Sequence, residues 1–342
     1  MLRENVEVMG NTMKSFLKTL AAAVAISILL WPLACRAPRQ ASESSQSTQP
    51  TPVKRLRVAL ILPEPDRALW QSVRQGAQDA AAEFGVDIEA EDAAGKAGGA
   101  RQAALVNSAV AARVDGIVLA PLDKKSLAGS LAQAARAEIP VVLLASDADA
   151  KNSITRVAPD DYQGGRLAAL YVGKITRGHG AVLVVQAPPN SRAARDREQG
   201  FAATLRKKFP KLKIVRSTAS GAPWSVDEVE RALAAHPEIT MVFSSARNAS
   251  VDTSHALRSS HLSGKIKLVG FGTGSLLVAA LQSGDIKALV VRNPVRMGYA
   301  GVQAVVDFAA GRAVAPRIDS GVKLITQPEM DTPENRKLLA ME

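Results

Sequence analysis

From Arg57 onward the chain alternates between two hydrophobic rhythms. Short runs rich in Val, Ile and Leu predict strands: RVALIL at 57–62, VDIEA at 86–90, DGIVLA at 115–120, PVVLLA at 140–145, AVLVV at 181–185, KIVRS at 213–217, MVFSS at 241–245, IKLVGF at 266–271 and IKALVV at 286–291. Between them lie Ala-rich segments with apolar residues at helical spacing: 68–85, 99–113, 125–138, 162–177, 196–209, 225–236, 251–261, 275–284 and 297–311. The strands read as continuous apolar runs, as strands covered on both faces do. Regular strand–helix alternation predicts parallel sheets with helices on both sides. So many strand–helix units exceed one ordinary doubly wound sheet, and two such lobes with a cleft between them accommodate them. Ligands of open α/β sheets bind beyond the carboxyl ends of the strands. Some helix ends are explicit. Ser225 and Glu228 fit a capping box, with Trp224 and Val229 placed as a hydrophobic staple. Gly85 and Gly311 stand one place past helix ends, where a left-handed residue closes the last turn.

The first 54 residues follow another pattern. Lys14 and Lys18 precede an apolar run, Phe16–Ala34, that ends at Cys35, the only cysteine among 342 residues. A basic, apolar, small-residue order is that of a secretory signal. Residues 1–35 are read as that signal, with Met13 as the initiator and Cys35 as the site of lipid attachment. A transmembrane anchor is the competing reading, but Lys18 and Pro32 interrupt the run. Pro32 also replaces the Leu usual in lipoprotein signals three places before the cysteine. Residues 36–54 have almost no large apolar side chain and predict a disordered tether. The body is therefore expected in the periplasm or cell envelope, held to a membrane through lipidated Cys35.

Composition removes several chemistries. Without Cys35 no thiol remains for disulfides, cysteine–zinc sites or a cysteine nucleophile. Of the net charge of +11, the body carries the larger part. Yet the chain has no dense Lys/Arg run interleaved with aromatics, and aromatics are 4 % of it. Nucleic acid is not an expected partner. Arg206–Lys208 end a predicted helix, where cations complement the helix dipole. His179, His236, His255 and His261 lack metal-ligand spacing, and His236 is placed to cap helix carbonyls. No metal and no cofactor are expected. Val269–Ser275, VGFGTGS, lacks the third glycine of a dinucleotide fingerprint and reads as a tight strand-to-helix turn. The G-x-S-x-G elbow of Ser-His-Asp hydrolases is missing, and nothing points to an enzyme.

The segments LWQSVRQGAQDAAAEFGV, VDGIVLAPLDKKSL, IPVVLLASDADA, DDYQGGRLAALYV, REQGFAATL, GKIKLVGFG, IKALVVRNPVRMGYAGV and RIDSGVKLIT occur in an order that resembles the type I periplasmic binding proteins. Within that family they resemble the ribose-binding-like group serving sugar ABC transporters. The resemblance runs from Arg57 to the C-terminus. It implies an α/β fold of two doubly wound parallel-sheet lobes joined by three crossovers, near Asp160, Asn293 and Arg317. The N-terminal lobe would comprise 55–159 and 293–316, and the C-terminal lobe 160–292 and 317–342. It also implies a monomer whose lobes close on a small ligand for a permease or sensor to recognise.

At the implied site this chain departs from the sugar binders. Their Asp, Asn and Asp positions hold Ala145, Ala246 and Gly272. Arg67 replaces an Asn, Arg292 a Gln, and Leu69 an aromatic. Trp70, Ser146 and Arg195 match the pattern. Arg247 adds a further cation, and Asp147 stands two places past a lost Asp. An unpaired buried guanidinium is costly, so an anionic sugar derivative is expected from Arg67, Arg195, Arg247 and Arg292. Asp147 could restore a neutral sugar, and Arg67 and Arg292 could point to solvent. Two function classes follow: a transport receptor for a small solute, or a sensory or interaction module that kept the fold and signals to a membrane receptor. A transport operon beside the gene would favour the first, a sensor kinase or chemoreceptor the second.

Overall fold

The computed structural model describes residues 55–63, 68–93, 98–145, 152–186, 191–216 and 226–341. The signal, Cys35, the tether, and the Trp224–Ser225 cap lie outside them. The first sheet takes β1 (Arg57–Leu62), β2 (Asp87–Asp92), β3 (Gly116–Leu119), β4 (Val141–Leu144), β5 (Thr155–Ala158) and β11 (Arg317–Asp319), in spatial order β11-β5-β4-β3-β1-β2. The second takes β6 (Ala181–Val185), β7 (Lys213–Arg216), β8 (Ile239–Ser244), β9 (Lys267–Phe271), β10 (Ile286–Arg292) and β12 (Val322–Thr326), in order β12-β10-β9-β8-β6-β7. The described pairings are parallel except β12 against β10.

Successive strand side chains point to opposite faces, and each face has its own helices. In the N-terminal lobe Leu60 and Val118 pack towards α1 (Ala68–Phe84) and α9 (Pro294–Ala309), whereas Ile61 and Leu119 pack towards α2 (Gly98–Ala111) and α3 (Lys124–Arg136). In the C-terminal lobe Val184 and Phe243 face α4 (Asp161–Ile175) and α5 (Arg192–Lys208). Leu183 and Val242 face α6 (Val226–Ala235), α7 (Arg247–Ser259), α8 (Ser275–Ser283) and α10 (Pro333–Leu339).

One device recurs in both lobes. A Cβ on Gly76 of α1 would sit 1.8 Å from the Val295 carbonyl oxygen, and one on Gly298 of α9 would sit 1.9 Å from that of Val73. In the other lobe a Cβ on Gly165 of α4 would sit 1.8 Å from the Arg197 carbonyl oxygen, and one on Gly200 of α5 would sit 2.1 Å from that of Tyr162. Each helix pair crosses with backbone on backbone, which only glycine allows. Side-chain oxygens cap the N-termini of α3 (Asp123), α4 (Asp160), α5 (Ser191) and α9 (Asn293). Gly85 and Gly311 adopt φ of 66° and 70°, the left-handed conformation expected of them.

Three passages of chain join the lobes, at β5–α4, at β10–α9 and between β11 and β12. The third lies later than the sequence indicated. Arg317–Asp319 still pairs with β5, giving that edge a hydrogen-bonded neighbour, and the chain passes over at Ser320–Gly321. One Asp319 carboxylate oxygen accepts from the Asp160 N–H at 3.0 Å and from the Gly321 N–H at 2.8 Å. It thus ties the first passage to the third.

Candidate ligand site

The carboxyl ends of β6, β8, β9 and β10 converge on the N-termini of α4 and α5, and a polar cluster forms there. Arg197, one turn into α5, is 6 % exposed. Its Nε donates to Asp161 at 2.7 Å, and one Nη donates to the Ser245 carbonyl at 2.7 Å. Its guanidinium carbon lies 3.5 Å from the centre of the Phe271 ring, within cation–π range. Asp161 is the first residue of α4, capped by Asp160, so the cap sets its direction. Burial pushes the Asp161 carboxyl above the ordinary carboxylate range, while Arg197 and, more weakly, Arg292 pull it down.

A second buried acid supports this layer. Glu198 accepts from the Ser245 hydroxyl at 2.7 Å and from the Gln186 amide at 3.0 Å. It therefore fixes the Ser245 peptide whose carbonyl receives Arg197. Beside them, Arg247 opens α7 and donates from Nε to the Thr273 carbonyl at 2.7 Å. Its stem would meet a Cβ on Gly272 at 2.9 Å, and its guanidinium would meet one on Gly274 at 2.6 Å. Both glycines have positive φ, 98° and 118°. VGFGTGS is thus a turn shaped to carry an arginine across it. Arg247 occupies the space that a side chain at Gly272 would need.

The sequence-predicted residues fall into three groups. Arg247 and Arg292 reach this cluster, Arg292 as the half-buried last residue of β10. Trp70 is 9 % exposed and packs into the core beside α1 and α9, so most of its ring serves the N-terminal lobe. Arg67, Ser146 and Asp147 lie outside the described residues. Arg195 is exposed on α5, and the arginine buried in the cluster is Arg197, two residues on. Two residues turn a helix by about 200°, so the two arginines face nearly opposite ways. Both stand in RDREQGF, and only the helix phase set by buried Phe201 and Leu205 separates them. Sequence reasoning also missed Asp161 and Glu198. A carboxylate following the Asp160 cap, with a buried arginine to meet it, was the available signal.

His236 likewise has a different partner: its ring nitrogen lies 3.5 Å from Glu238. Among the described residues no group of His, Cys, Asp or Glu is arranged to hold a metal ion, and no helix is long and apolar enough to cross a membrane.

The ribose import binding protein RbsB of Bacillus subtilis is 24 % identical over 314 residues, 91 % of this chain and 99 % of that protein. The RbsB of Escherichia coli is 26 % identical over 280 residues, 79 % of this chain and 90 % of that one. A carbohydrate transporter solute binding protein from Agrobacterium radiobacter, solved in complex with D-arabinose, matches with a TM-score of 0.65 at 26 % identity, over 84 % of this chain and 99 % of that one. AraP, an arabinose binding protein from Geobacillus stearothermophilus, shares the fold with a TM-score of 0.72 at 20 % identity, over 81 % and 99 %. The family model of the periplasmic binding protein domain matches residues 58–313, from β1 through β10 and across the first two passages between the lobes, and the chain belongs to that family.

Proposed function

We propose that this protein is an extracytoplasmic receptor that captures a small sugar-like solute by hinge closure and presents it to an ABC transporter, and that the solute carries an acidic group. The names of its relatives support the first part: those proteins bind ribose or arabinose, or serve carbohydrate transport. Such a receptor binds and releases its ligand without chemistry. The acidic group rests on one observation. Arg197, Arg247 and Arg292 lie at the strand ends, Arg197 paired with Asp161, while Glu198 is occupied in supporting Ser245. Asp161 answers Arg197, and Arg247 and Arg292 add two more guanidinium groups at the same strand ends. Guanidinium groups hold carboxylate or phosphate through paired N–H donors.

Calorimetry with matched neutral and acidic sugars, galactose against galacturonic acid for example, tests the reading. Each charge-assisted hydrogen bond contributes ~1.5–3 kcal/mol, so Arg292→Ala should weaken binding of the acid by about tenfold or more. Tighter binding of the neutral sugar, with Arg247→Ala and Arg292→Ala both indifferent, would return the protein to receptors for neutral sugars. The receptor is held to the membrane through Cys35. Cys35→Ser should move it to the soluble fraction or block its processing, and unchanged fractionation and migration would refute the tether.

A further inference from the structure

The charge of the body is divided unequally. Residues 55–159 and 293–320 carry 15 basic and 15 acidic side chains, and residues 160–292 and 321–342 carry 22 and 14. The whole excess of +8 therefore belongs to the C-terminal lobe. Much of it gathers at that lobe's far pole, away from the ligand site, where the strands begin. Arg206, Lys207 and Lys208 form the last turn of α5. Lys211 and Lys213 lead into β7, where the Lys213 N–H bonds the Gly180 carbonyl at 2.9 Å. Arg177 lies in the turn before β6. Lys265 and Lys267 enter β9, and Lys267 pairs in register with Met241 of β8.

Strand order β7-β6-β8-β9 places these eight cations along an edge three strand spacings wide, about 15 Å. That is less than two screening lengths at physiological salt, so their fields reinforce one another. Seven are exposed and Lys267 is half-buried; among the described residues none is in an ion pair, and Glu238 is the acidic side chain beside them. A cavity of about 460 Å³ opens within the patch, lined by Thr176, His179, Thr240, Lys265 and Lys267. The opposite pole is arranged differently: Arg55 pairs with Asp87 at 3.1 Å, Arg57 with Glu89 at 2.7 Å and Arg312 with Asp307 at 2.6 Å. Compensation of helix dipoles accounts for the end of α5, but not for the four lysines at the starts of β7 and β9.

We propose that this pole is a docking surface for an anionic lipid bilayer, with headgroup phosphates entering the lysine- and threonine-lined cavity. Lysines spread over strand starts, with donors pointing many ways, suit a diffuse layer of phosphates. A single-stranded nucleic acid would need exposed aromatics for stacking, and the patch offers none. This docking rests in part on the proposed function, in which lipidated Cys35 already holds the body beside a bilayer.

The full chain should be titrated with vesicles of pure phosphatidylcholine and with vesicles one-third phosphatidylglycerol. Any binding through the N-terminal segment is common to both vesicles, so the ratio of affinities reads the electrostatic part. The anionic vesicles should be preferred, and the preference should fall as salt rises. Lys207→Gln/Lys208→Gln/Lys211→Gln should lower that preference by about tenfold or more, since each cation near an anionic surface contributes measurably. Lys265→Gln/Lys267→Gln should act in the same direction. The triple Lys125→Gln/Arg136→Gln/Arg296→Gln, removing equal charge from exposed positions of the other lobe, should leave it nearly unchanged. No preference in the wild type, an equal loss from both triples, or displacement of the vesicles by duplex DNA at lower phosphate concentration would each overturn the proposal.

Discussion

Replacing Asp161 by Asn tests the centre of the candidate site. The side chains of Arg197 and Asp161 are 8 % and 15 % exposed and meet at 2.7 Å. The substitution leaves a buried guanidinium facing a neutral amide, with the Ser245 carbonyl and the Phe271 ring among its remaining partners. Breaking a buried pair from one side costs ~3–5 kcal/mol. Asn keeps an acceptor oxygen, so a loss of about 2–4 kcal/mol is expected. For a chain of this size that lowers the melting temperature by roughly 5–15 °C. Arg197→Met behaves differently, because Asp161 can then take up a proton. The folded carboxyl already lies above its unfolded value, about 3.9. A raised carboxyl stabilises the fold most below the unfolded pKa, and that stability is lost as pH rises through the folded pKa. Without Arg197 the pKa rises further. Arg197→Met should therefore lose stability more steeply than wild type between about pH 4 and neutrality. Urea unfolding of both variants and of the double variant, at several pH values, measures the coupling. An Asp161→Asn protein within ~0.5 kcal/mol of wild type, as ordinary surface changes are, together with a pH-independent loss in Arg197→Met, would refute the reasoning.

Gly165→Ala and Gly298→Ala each drive a methyl into a carbonyl oxygen, at 1.8 Å and 1.9 Å; each should cost ~1–3 kcal/mol or more, measured by thermal melts followed by circular dichroism. Gly165→Ala should also weaken ligand binding, because the atom it strikes belongs to Arg197, whereas Gly298→Ala should spare the affinity of protein that remains folded. Gln102 is fully buried and bridges the Ala120 carbonyl and the Leu122 N–H, both at 2.8 Å; Gln102→Leu strands both groups and should cost ~1–3 kcal/mol in urea unfolding. Saturating ligand should reduce the radius of gyration in solution scattering, and an unchanged profile would exclude hinge closure.

Periodicity alone identified the first four strands, β6 to β10 and the first nine helices, because long alternating segments carry their own evidence. It missed β5, β11 and β12. These have three to five residues with interrupted apolar character, and β11 is specified by the edge of β5 it completes rather than by its own composition. The short α10 escaped for a related reason: seven residues hold too little of a helical repeat to register. At the site, residue type was legible and orientation was not. Arg247 and Arg292 could be singled out because the resemblance placed them at the site, Arg292 where the sugar binders carry a Gln. Arg195 and Arg197 could not be told apart without knowing which side of α5 is buried. The reciprocal glycines were visible as letters, but their role depends on a helix far away in the chain.

The route of the chain between the lobes bears on when the fold can be completed. The N-terminal sheet lacks its last strand until Arg317–Asp319 has been made, and α1 lacks the partner that covers it until α9 follows, more than 200 residues later. The C-terminal sheet in turn waits for β12. Neither lobe is an unbroken stretch of chain, so neither can finish its core while the last tenth is still on the ribosome. Contacts so distant in sequence also form slowly once synthesis ends. A polypeptide built this way stays open until its synthesis is all but complete, which is the state a narrow translocation pore requires of any chain that passes through it.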